Sequence, residues 1–364
     1  MRRILLILLL VPAFLCPAYA QEPDSAAMDI FGAEKMQSGL SREEKEISGP
    51  LGGGSYDVGG AMKRLWHGFC ERMLAELHVG LGFAVRMLSL VFLCAFASAV
   101  CEKEKMREAI EICAACAAAG LLAGDVNSLI SRTLESVYRL SDYSRVSLPV
   151  LYTAAAAGGA VSSAAVRYAA ACLSLEVLMS LAQRAVIPLI YAFLALALGN
   201  AVFSNPILTA MERLTKWAAK TVLTAATLAF TSYLSLSSLI STGIDAAAIK
   251  ATRTVISTGL PVVGGMLADA SAAVLSAAAV VRSCTGAFGL VAVCAMCLGP
   301  LAMLSVKSFL FKAVAAAAES VQTPRLQRLF SAVGGAVGLL MGLLGACAIM
   351  LFLSFAAAMK AVTG

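Results

Sequence analysis

Residues 260–286 read LPVVGGMLADASAAVLSAAAVVRSCTG. The run is apolar and longer than the ~20 residues a helix needs to cross a bilayer. Asp269 stands near its middle and Arg282 near its end, with Pro261, Gly264 and Gly265 at its entrance. A carboxylate at the bilayer centre costs roughly 3 kcal/mol, so Asp269 is expected to face other helices, a partner charge or a water-filled path. Alanine, serine and glycine fill most other positions, and such residues let helix backbones approach closely. The stretch therefore reads as an interior helix of a membrane bundle, which sets the fold class: all-α, a polytopic transmembrane helical bundle.

The composition agrees. Of 364 residues, 60% are hydrophobic and 14% are charged, and the mean hydropathy is +0.85. A soluble domain carries about 25% charged residues. The net charge of +6 is spread between apolar runs, as loop charges on a cytoplasmic face would be, and forms no nucleic-acid patch.

Working outward, segment 288–304 follows as a span kinked at Gly299-Pro300. Segment 305–321 is amphipathic, with Lys307 and Lys312, and Arg325 and Arg328 make a basic loop. Segment 333–358 is the last span. Its Gly334, Gly338 and Gly342 stand four apart, a small-residue ridge for close helix contact. Upstream, 241–259 reads as a surface helix or loop, and 221–239 and 185–203 as spans joined through basic Arg213, Lys216 and Lys220.

Arg167 separates 148–165, which holds Pro149 and the Gly158-Gly159 pair, from 168–181, which holds Glu176. These two pieces suit one bent helix, a re-entrant pair or two short spans. Segment 125–147 reads as a polar outer loop. Segments 109–124 and 79–100 are spans around a basic turn of Lys103, Lys105 and Arg107. The expected total is about seven or eight spans.

Residues 1–20 have the form of a cleavable signal peptide: Arg2 and Arg3, an apolar core, then Ala18-Tyr19-Ala20. Residues 21–60 are polar and glycine-containing, expected as a flexible extracytoplasmic segment. Residues 61–78 form an amphipathic helix: Met62, Leu65, Trp66, Phe69, Met73 and Leu77 recur at helical spacing. The multi-span domain occupies 79–364.

Among the eleven cysteines are two C-x-x-C spacings, Cys113/Cys116 and Cys294/Cys297. Both lie in apolar runs without nearby histidine or a βαβ context, so packing outranks a metal or redox role. No nucleophile elbow, metalloprotease helix or dinucleotide fingerprint occurs in the sequence, and neither an enzyme nor a cofactor is expected. The polar candidates within the apolar runs are Asp269, Glu176, Arg167 and Arg282. They suit a polar pathway or interhelical pairs and end-anchors.

Several stretches together resemble the stage III sporulation protein AE family. They are 261–270 with 282–286, Leu148-Pro149 with Gly158-Gly159-Ala-Val-Ser-Ser, and Val186-Ile-Pro188-Leu-Ile. The likeness covers roughly 80–360. It implies a non-enzymatic, multi-pass protein of the mother-cell membrane around the forespore. The implied partners are the other stage III A membrane proteins and, through them, a forespore membrane protein, forming a channel or feeding apparatus. The alternative from the residues alone is a secondary transporter or permease using Asp269.

Overall fold

The computed structural model describes residues 33–50, 56–157, 161–259 and 264–360, with side chains described for these except 33, 34, 161–163, 234–282 and 360. The expected leader, Gly158 and Gly159 lie outside the described residues. Asp269, Arg282, Gly264 and Gly265 lie in a described helix, but their side chains are outside the described set.

The described residues are helical, without a strand among them. Two short helices, α1 (Ala33–Ser38) and α2 (Arg42–Ser48), precede seven longer ones. These are α3 (Val58–Val100), α4 (Glu104–Ala157), α5 (Val161–Leu181), α6 (Ile187–Phe203), α7 (Pro206–Gly259), α8 (Gly264–Ser320) and α9 (Pro324–Lys360). Among the described residues, five helical segments, Val58–Val100, Glu104–Ala157, Ala164–Phe203, Ser283–Ser320 and Pro324–Met359, are long and apolar enough to cross a membrane.

Several segments read as separate spans are joined within single helices. Segments 109–124 and 148–157 both belong to α4, and the polar stretch 125–147, expected as a loop, is its middle. Segments 221–239 and 241–259 share α7, and 264–281 and 288–304 share α8. Pro149 and Pro300 lie inside helices that continue past them. A single wide π-turn at Ala182–Val186 joins α5 to α6. Pro188 follows it and offers no N–H to the preceding turn, the usual reason for such a local widening. At 1.5 Å per residue, the 54 residues of α4 reach about 80 Å, more than twice the ~30 Å hydrocarbon layer. A helix of that length has room to cross with one part and project with another.

The turns at one end are chemically specified. Ser204 takes a left-handed conformation (φ 48°), its N–H donates to the Asn200 carbonyl, and the Asn205 side chain accepts from the Ile207 N–H just after Pro206. Gln322 does the same before α9 (φ 56°), with the Thr323 hydroxyl donating to the Ala318 carbonyl.

The bundle is built around a hairpin. Residues Ser283–Ser320 of α8 and Pro324–Met359 of α9 pack together more extensively than any other pair, and α3, α4, α5, α6 and α7 sheathe them. In their most apolar stretches 89% and 78% of residues are buried, against 28%, 33% and 39% in the three sheath spans. Gly289 permits this closeness: a Cβ there would collide with the Phe355 ring.

Along the expected glycine ridge of α9, a Cβ at Gly334 would reach Phe311 of α8 and one at Gly342 would reach Leu223 of α7, whereas a Cβ at Gly338 would meet no described side chain within 4 Å.

The N-terminal region also differs from expectation. Residues 33–48, expected to be flexible, form α1 and α2 and lie on the bundle, with Met36 and Leu40 buried. The amphipathic helix 61–78 is the first half of α3. Leu65 faces inward there, but Trp66 is exposed.

Candidate functional site: the charged seam of α4

One face of α4 carries Glu111, Ala118, Asp125, Arg132 and Arg139, each seven residues from the next. Seven residues are nearly two helical turns, so the five share a face that drifts by about 20° per step. The drift carries the seam across successive partners. Near the start of α4, Arg325 of α9 sits 3.6 Å from Glu111 and 2.6 Å from Glu108. Ala118 is buried and apolar. Asp125 Oδ2 pairs with Lys307 Nζ of α8 at 2.7 Å, and that ammonium lies 4.4 Å from the centroid of Phe83 in α3. Arg132 Nη1 meets Met303 Sδ of α8 at 3.9 Å. Arg139 Nη2 donates to both oxygens of Glu44 in α2, at 2.9 and 3.0 Å.

Burial gives these pairs weight. Lys307 keeps 12% of its side-chain exposure, Arg325 9% and Glu44 6%. A charge taken out of water is held by its partner, and removing one partner strands the other. A one-turn slide of α4 along the hairpin would misalign its contacts with Arg325, Lys307 and Met303, whereas Arg139 ties α4 to α2.

Two arginines serve helix ends. Arg325 Nη1 donates to the carbonyls of Ala201 and Val202, in the last turn of α6. Arg167 is 2% exposed, and its Nη1 donates to the Ala357 carbonyl at 2.7 Å, in the last described turn of α9. Carbonyls there have spare acceptor capacity, and the helix dipole favours a cation. This hydrogen bond links α5 to α9. Tyr152 of α4 lies beside it; its hydroxyl donates to the Ser354 carbonyl and its ring meets Tyr168 edge-on.

Glu176 is not brought to Arg167. The two are nine residues apart on α5, half a turn out of phase, and Glu176 is exposed while Arg167 is buried. Cys113 and Cys116 are exposed on α4, whereas Cys294 and Cys297 are buried in α8. Among the described residues no cluster of three metal-ligating side chains occurs.

Taking 125–147 for a loop hides the seam, which lies in the middle of α4. The seven-residue spacing from Glu111 to Arg139 was its available signal, visible only if one helix runs through both segments.

A family model described as stage III sporulation protein AE matches residues 52–362, which covers every long helix. No curated protein matches the chain, and no solved structure matches it.

Proposed function

The chain belongs to the stage III sporulation protein AE family, and from that premise we propose that it is a non-enzymatic subunit of the stage III A complex. It sits in the mother-cell membrane around the forespore and contributes to the channel or feeding apparatus between the two cells. Its partners there are other stage III A membrane proteins and, through them, a protein of the forespore membrane. The observation that carries this reading is the family match over 52–362, on a chain whose described residues include five helices apolar and long enough for a membrane. The charged seam suits a scaffold role, since it fixes helix register and brings no acid, base and nucleophile together.

The test is genetic and biochemical. Deleting the gene in its spore-forming host is expected to stop forespore development at a late stage, and the wild-type copy to restore it. An affinity-tagged copy recovered from sporulating membranes is expected to bring the other stage III A proteins with it. Normal spore yield in the deletion strain, or recovery of the tagged protein alone, would overturn the proposal.

A further inference from the structure

The exposed residues of α3 and α4 change character partway along each helix. Those of 57–78 include Lys63, Arg64, His67, Glu71 and His78. Those of 79–100 include Val85, Phe92, Leu93 and Phe96, and the single charge among them is Arg86, whose Nε donates back to the Gly82 carbonyl, toward the charged end of the helix. On α4 every exposed residue of 109–124 is Ala, Cys, Gly or Leu. Lys105, Arg107 and Glu108 are exposed just before that stretch, and Asn127, Ser128, Arg132, Glu135 and Arg139 after it. Helix α6 repeats the pattern. Its exposed Pro188, Tyr191, Ala192, Ala195 and Phe203 carry no charge, and Gln183 and Arg184 are exposed just before them.

Tertiary contacts bring these uncharged stretches level as one belt. At the border far from the α3–α4 turn, Lys307 of α8 pairs with Asp125 of α4 and lies 4.4 Å from the centroid of the Phe83 ring of α3. The Tyr191 hydroxyl donates to Asn127 Oδ1 at 2.8 Å and sets α6 at the same height. At the other border, Arg325 joins Glu108 to the last turn of α6. At 1.5 Å per residue, 79–100 rises about 33 Å and 109–124 and 188–203 about 24 Å each, which brackets the ~30 Å of bilayer hydrocarbon. Beyond the Lys307 border, α1 and α2 lie in the groove between α3, α4 and α8 and expose Lys35, Arg42, Glu43 and Glu46. Two clefts open there, of about 410 Å³ beside Arg72, Glu76, Arg132 and Glu135, and about 620 Å³ beside Glu46, Lys63, Arg64 and His67. Helix α5 has no such border and exposes Leu173, Glu176 and Val177 together.

We propose that residues 79–100, 109–124 and 188–203 form the surface that meets bilayer hydrocarbon, and that residues 58–78 and 127–145, with α1 and α2 on them, stand in water beyond it. An exposed charge in hydrocarbon is costly, whereas an exposed aliphatic or aromatic side chain costs little there, so the switch in exposed residues marks where lipid ends. The amphipathic helix 61–78 is then lifted off the bilayer, with Trp66 about 18 Å beyond His78. Helix α7 returns alongside α6, and Lys216 lies 5.6 Å from the centroid of the Phe193 ring, so its neighbour Trp217 stands within the belt. Arg213, Lys216 and Lys220 are exposed at that height, from which long basic side chains can extend to a border. This placement rests on the membrane location proposed above and on none of the partners proposed with it.

The chain has two tryptophans, one on each side of the border: Trp66 is 54% exposed and Trp217 is 62% exposed. Trp66→Phe and Trp217→Phe each leave one reporter in the full chain, reconstituted into nanodiscs of phosphatidylcholine brominated near the headgroup end of one acyl chain. The bromines are expected to quench Trp217 at least twofold and Trp66 by less than a tenth. Acrylamide in the buffer should quench Trp66 at least threefold more effectively than Trp217. Equal bromine quenching of the two would overturn the proposal and leave the membrane location standing. No bromine quenching of either would remove the membrane location, and the proposal with it. Should a variant fail to fold, the wild-type chain decides. A light-activated carbene precursor dissolved in the acyl layer is expected to mark 79–100 and 109–124 at least fivefold more than 58–78 and 127–145, read by peptide mass spectrometry. Equal marking of the two sets sinks the idea.

Discussion

The central hairpin and the sheath helices have nearly the same oiliness and opposite surroundings. Mean hydropathy peaks at 2.2 and 2.5 in Ser283–Ser320 and Pro324–Met359, and at 2.1 and 1.7 in α3 and α4. Yet the hairpin is enclosed by protein, while Phe92, Leu93 and Phe96 of α3 face outward. A hydropathy scale measures transfer out of water and cannot tell lipid from protein as the destination. Packing separates them: the hairpin interlocks with neighbours, whereas an outward leucine can exchange protein contacts for acyl chains at little cost.

Truncation should break the symmetry most strongly. Leu351 in α9 is 0% exposed and Leu93 in α3 is 66% exposed. Leu351→Ala is expected to cost about 3 kcal/mol of stability in detergent. Leu93→Ala should stay within about 0.5 kcal/mol. Chemical unfolding of the two variants side by side measures the difference, and equal losses would remove the distinction between core and sheath.

Enlargement probes the same contrast from the other direction. Gly289→Leu would drive a side chain into the Phe355 ring and is expected to cost roughly 2 kcal/mol. Gly120 of α4 is exposed, with no described atom within 4 Å of a Cβ there, so Gly120→Leu should leave the unfolding midpoint nearly unchanged. A tolerant Gly289→Leu variant would mean that the hairpin is looser than its geometry requires.

The seam that joins sheath to hairpin should give the smallest effect. Lys307→Met and Asp125→Leu are each expected to destabilise, and the double variant to lose less than their sum. The coupling should be about 1 kcal/mol, modest because Asp125 remains partly exposed. A double-mutant cycle with zero coupling would show that the pair does not fix register.

How far the sequence could be read follows from these cases. Of the basic turns that the sequence leads one to expect, Lys103 lies in the break between α3 and α4, whereas Arg213, Lys216 and Lys220 lie inside α7 and Arg325 and Arg328 inside α9. The wide turn at Ala182–Val186 was visible only as the approach to Pro188. Reading segment 125–147 as a loop takes its polarity for irregularity, whereas it is the middle of α4. A helix longer than the bilayer is thick can be apolar where it crosses and polar where it projects. That error hid the seven-residue seam, and with it Asp125, Arg132 and Arg139. Arg167 stood out as a charge in an apolar run, but its partner, the Ala357 carbonyl, is 190 residues away and belongs to a backbone group that any residue could supply.

By itself the sequence determined the class: long oily helices, small residues for close packing, basic turns, and enough family character to place residues 52–362. Only the tertiary structure decided which oily helices are enclosed, where each charge finds its partner, and that residues 33–48 lie in a groove. Helix formation and apolarity are local properties of a chain, written in neighbouring residues. Burial and ion pairing depend on segments distant in sequence, and no local pattern records them until the helices meet.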